Sequence, residues 1–128
     1  MDGSEWIRAR SECSHVQAFE RLKTEVRDDV EANNKLIRAG GASSGLFVIQ
    51  FFDRSFRVYL DLANIDRAVV FSLQSDFSIA VDGTNPPVAI RGTVVLDDDG
   101  KCRLRVNDQE LKFWQFRRRA LEALFFGF

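Results

Sequence analysis

Residues 88–106 read VAIRGTVVLDDDGKCRLRV, and their reading decides the fold. Asp98-Asp99-Gly100 separates two strand-like runs; beyond it, Cys102, Leu104 and Val106 alternate with Lys101, Arg103, Arg105 and Asn107. A period of two is that of a strand with one buried face. An Asp-Gly dipeptide between two such runs supplies the backbone of a tight hairpin. The stretch therefore predicts two antiparallel neighbours.

The same period extends upstream to Gly45. Residues 46–52 are an apolar run too short for a typical helix. Phe56, Val58, Leu60 and Leu62 alternate with Arg57, Tyr59 and Asp61, and residues 68–73 form a third run. Phe77, Ile79 and Val81 alternate with Ser78, Ala80 and Asp82 in a fourth. Asp53-Arg54-Ser55, residues 63–67 and a loop from Asp82-Gly83 to Pro86-Pro87 provide the turns. Links this short favour antiparallel neighbours, because parallel pairing needs long crossovers.

Helical periods flank the strands. Over residues 14–38, Phe19, Leu22, Val26, Val30 and Ile37 recur every three or four positions, one stripe of a helix. Ser14 with Gln17 reads as a capping box, and Gly40-Gly41 ends the helix. A second helix is expected over residues 109–126, capped by Asn107 or Asp108. Its apolar residues, among them Phe113, Trp114, Phe116, Leu121, Leu124 and Phe125, span more than half its circumference. One sheet face needs a stripe of only about 100°.

These elements predict the α+β class: a meandering antiparallel sheet of five to six strands between an N-terminal and a C-terminal helix, both packed on one sheet face. A half-barrel closed around the C-terminal helix is the alternative. Residues 1–128 are expected to form a single domain, and residues 1–13, with Trp6 and Ile7, read equally as an arm or a short helix.

Composition narrows the functional classes. With 18 basic and 19 acidic residues, the net charge of −1 suggests neither a nucleic-acid nor a membrane binder. No apolar run approaches the roughly 18 residues of a membrane helix. The first residues, MDGSEWIRARSE, carry no apolar leader core, and Cys13 and Cys102 have no metal or redox spacing. Two free thiols in a reducing, cytoplasmic setting are expected.

No constellation for catalysis, metal binding or a cofactor stands out. His15 is the lone histidine and reads as a surface residue. Asp97-Asp98-Asp99 lacks the alternate spacing of a calcium loop and reads as a solvated turn. Residues 40–45, GGASSG, follow a helix and precede a strand, the reverse of a phosphate loop. Arg117-Arg118-Arg119 with Arg103 and Arg105 reads as a solvated basic face.

Two polar residues interrupt apolar stripes. Asn33 is expected to be buried and bonded to backbone outside its own helix. Arg117 is expected to meet a carboxylate, either from within the chain, such as Asp61 or Asp82 of a strand, or across an interface. Twelve phenylalanines and the terminal Phe125-Phe126-Gly127-Phe128 leave more rings than one core hides easily. The leading expectation is a non-enzymatic interaction module forming a homodimer, with a further protein partner open to it. Its contact is centred on whichever of Phe113, Trp114, Phe125 and Phe128 the sheet leaves uncovered. The alternative is a binder of an apolar or amphipathic ligand in an aromatic pocket under the last helix, with Arg117 at its mouth.

Overall fold

The computed structural model describes residues 3–41 and 45–127. Two helices come first: α1 (Glu5–Glu12) and α2 (His15–Ala39). The Ser14 hydroxyl accepts the Gln17 N–H at 3.1 Å, so α2 begins at the cap its sequence signals. Gly41, at φ +67°, adopts the left-handed backbone that follows its end. Residues 3–12 are thus a turn and a short helix, and α1 buries no residue.

Seven strands follow: β1 (Leu46–Phe51), β2 (Ser55–Asp61), β3 (Ala68–Leu73), β4 (Ile79–Thr84), β5 (Val88–Leu96), β6 (Cys102–Val106) and β7 (Gln109–Leu111). They pair in chain order, each antiparallel to the next, and α3 (Phe113–Phe126) closes the chain. The meander, the class and the two flanking helices are those the periodicity predicts; the strand count is one higher. The additional strand is β7. Asn107, at φ +54°, and Asp108 form a hairpin turn that pairs Val106 with Gln109, so they do not cap a helix. Asparagine and aspartate serve both purposes, and three residues are too few to display a period.

Pairing register sorts the side chains. Phe47, Ile49, Phe56, Val58, Leu60, Val69, Phe71, Ile79 and Val81 share one face, which α2 and α3 cover to form a contiguous core. Phe56 and Phe71 stack at 4.6 Å between centroids, and burying each ring stabilises the fold by about 2–3 kcal/mol. Gly92 lets α3 approach β5: a Cβ there would sit 2.9 Å from the Phe116 ring. The opposite face carries small and polar side chains, including the row Gln50, Arg57, Val70, Asp82 and Ala89. Among the described residues β1 and β7 do not pair, so the sheet is open and not a closed barrel.

The cysteines correct an expectation. Cys13 and Cys102 form a disulfide, with Cα atoms 5.4 Å apart, so they are not free thiols. Cys13 lies at the junction of α1 and α2, over the start of β6. Contact across 89 residues of sequence is a tertiary fact that spacing does not contain.

Candidate functional site

α3 lies between α2 and the β6–β7 edge, which explains how its wide apolar arc is covered. Phe116, Ala120 and Leu124 face the sheet and are fully buried. Phe113, with 2% of its surface exposed, and Phe125, with 9%, are also covered by their own fold. Of the aromatic residues expected at an interface, Trp114 is the one the fold leaves open, at 50% exposed. Phe128 lies outside the described residues. Phe126, which sequence reasoning passed over, is 67% exposed. Its place in the terminal aromatic run was the only signal for it.

Trp114, Arg118, Glu122 and Phe126 stand four residues apart and form a ridge along α3. A groove of about 580 Å³ separates this ridge from α2, where Leu36, 68% exposed, forms the far bank over Leu121 and Phe125. A second groove of about 610 Å³ runs along the other flank, past Gln109 and Leu111 of β7. Arg118 and Glu122 form an exposed ion pair at the centre of the ridge. The Arg118 guanidinium donates to the Glu122 carboxylate, which raises its pKa above the ordinary value.

Arg117 lies on the inner flank of this ridge. It donates to Asp29 at 2.7 Å and to Glu25 at 3.0 Å. A carboxylate from within the chain is the expected partner; the acids are not Asp61 or Asp82 of the strands but stand four residues apart on α2. Glu25 also accepts from Arg21 at 3.2 Å, and Arg21 lies 3.9 Å over the Phe113 ring. The network holds α3 against α2 and leaves Arg117, with two carboxylates on it, little unmatched charge to offer an anion.

Asn33 lies at the floor of the α2–α3 groove and is 5% exposed. It is buried as expected, but its Nδ2 has no hydrogen-bond partner among the described residues. The expected backbone bonds are made one residue later. Asn34 Nδ2 donates to the Phe47 carbonyl and Oδ1 accepts the Phe47 N–H, both at 2.9 Å. Asn34 thereby closes the free edge of β1 as a neighbouring strand would.

The other candidates for chemistry are already engaged. His15 stacks on Phe77 at 4.3 Å, and the two sulfurs are bonded to each other. Asp97 Oδ1 accepts the N–H groups of Asp99 and Lys101, organising the acidic turn. Asp76 accepts the Ser78 hydroxyl and N–H, which with nearby Arg91 hold its carboxyl below the ordinary range. Arg103 and Arg105 pair with Asp97 and Glu110, and Arg119 donates to Gln109. No group of three His, Cys, Asp or Glu that could hold a metal occurs among the described residues. No described helix is long and apolar enough to cross a membrane. No family model matches the chain, and no curated protein or solved structure matches it either.

Proposed function

We propose that the protein is a non-enzymatic interaction module that self-associates through the outer face of α3 and the groove beside it. One observation carries this reading. On a helix whose other large apolar residues are buried, Trp114 and Phe126 project from a single ridge, with Leu36 of α2 facing them across an apolar groove. Large side chains grouped in this way favour association, and tryptophan is enriched at the centres of interfaces. Support for a non-enzymatic role comes from the commitments of the reactive groups: histidine to a ring stack, sulfurs to a disulfide, Glu25 and Asp29 to Arg117. The Cys13–Cys102 bridge weighs against a cytoplasmic address and favours an oxidising compartment.

Two observations favour this reading over a ligand pocket under the helix. The space beneath α3 is filled by Phe116 and Leu124, and Arg117 is matched by acids of its own chain. Solution mass tests the favoured reading. At tens of micromolar the wild type is expected at twice its chain mass, and Trp114→Ser/Phe126→Ser at the mass of one chain with an unchanged melting temperature. A monomeric wild type across that range would overturn the reading.

A further inference from the structure

The ridge of α3 has an internal symmetry. Read along the helix, Trp114, Arg118, Glu122 and Phe126 run aromatic, cation, anion, aromatic, at equal four-residue spacing. The same four residues border both grooves, so they form the crest between them. At 1.5 Å per residue the outer rings lie about 18 Å apart, with the two charges midway.

A two-fold axis perpendicular to α3 at the level of Ala120 exchanges position 114 with 126 and position 118 with 122. Each member of the ridge then faces one of complementary chemistry: ring against ring, guanidinium against carboxylate. A parallel alignment would instead set Arg118 on Arg118 and Glu122 on Glu122. A foreign partner would demand no such reversal about the midpoint.

We infer that the partner of this face is a second copy of this chain, docked with its α3 antiparallel about that axis. The inference rests on the self-association reading and deepens it. Each copy seats its Trp114 ring in the α2–α3 groove of the other, beside Leu36 and Phe126. Within one chain Arg118 and Glu122 pair with each other while 65% and 53% exposed, so both remain accessible to a second copy. Docking adds two Arg118–Glu122 pairs across the axis and turns the two intrahelical pairs into one cluster of four alternating charges. The interface is isologous and closes on itself, so assembly stops at two.

Charge reversal tests the ridge, and the swap Arg118→Glu/Glu122→Arg tests the axis. Antiparallel docking lets the swapped chain dimerise with itself but not with wild type, whereas parallel docking favours the mixed pair. Arg118→Glu leaves two acids at the centre of the ridge, and Glu122→Arg leaves two bases. Each variant alone is expected to dimerise at least roughly tenfold more weakly than wild type at low salt, because four like charges meet across the axis. An equimolar mixture is expected to recover wild-type affinity as a heterodimer, identified by native mass spectrometry from the two chain masses. Circular dichroism melts of each variant should match wild type, because both side chains are mostly exposed. If wild type dimerises and either variant alone does so equally tightly, the antiparallel axis is wrong while self-association stands. If the variants weaken but their mixture does not recover, the charges act only within their own helix and the axis is again wrong. A wild type that stays monomeric removes both readings.

Discussion

Asn33 and Asn34 are neighbours in the chain but lie about 100° apart around α2, and their amides meet different surroundings. Asn34 satisfies the free N–H and C=O of Phe47, two backbone groups on the edge of a buried strand. Replacing it by leucine leaves both without partners, at roughly 1–3 kcal/mol each. Asn34→Leu should therefore lose about 2–4 kcal/mol in urea unfolding. Asn33→Leu is expected to be neutral or stabilising, because it removes a buried donor that has no acceptor among the described residues and leaves an apolar group of similar size. Equal losses in the two variants would contradict the assignment of roles. The periodic stripe of α2 was legible and located the buried polar position to within one residue. Which amide finds backbone depends on where the edge of β1 passes, and no helical period contains that.

Among the elements, α2 and α3 are joined by an ion network as well as by apolar contact. Arg117 is 17% exposed, and its partners Glu25 and Asp29 are about one-third exposed, so water screens the acids in part. Arg117→Met keeps the packing of the stem but leaves two half-buried carboxylates four residues apart on α2 without their cation. A loss of about 1–2 kcal/mol is expected, smaller at high salt, from thermal unfolding at two ionic strengths. No loss at either would reduce the arginine to a surface stem. The need for a carboxylate was legible from a charge inside an apolar arc; its source was not, because no period along the chain shows which acids α3 packs against. β3 and β5 fall where their runs predict, whereas Phe77, expected to open β4, lies in a turn at φ +67° and stacks on His15. Alternation set the start of this strand two residues too early, and the Phe77 ring packs on the first residue of α2.

The whole molecule is an open seven-stranded sheet with helices on one face, and its chain is tied once across most of its length. The disulfide fixes the junction of α1 and α2 to the start of β6. Cross-linking residues 89 apart in sequence removes much freedom from the unfolded chain. Bridges of this kind contribute about 2–4 kcal/mol, and the chain-entropy limit for so long a loop is nearer roughly 5 kcal/mol. The core itself is large and continuous, so the reduced protein should still fold, with a lower margin. Adding a thiol reductant should lower the melting temperature by on the order of 10 °C for a chain of this size. Cys13→Ala/Cys102→Ala should melt near the reduced wild type and ignore the reductant. α1 buries nothing of its own and joins the core through Cys13, so hydrogen exchange should rise first in α1 and the opening turn of α2 when the bridge is cut. None of the ridge residues Trp114, Arg118, Glu122 and Phe126 belongs to the bridge, which joins the α1–α2 junction to the start of β6. The same reduction should therefore leave self-association intact at temperatures below melting. If the dimer dissociates on reduction while the fold persists, the α1 end of the molecule belongs to the interface and the α3 ridge is not sufficient to form it.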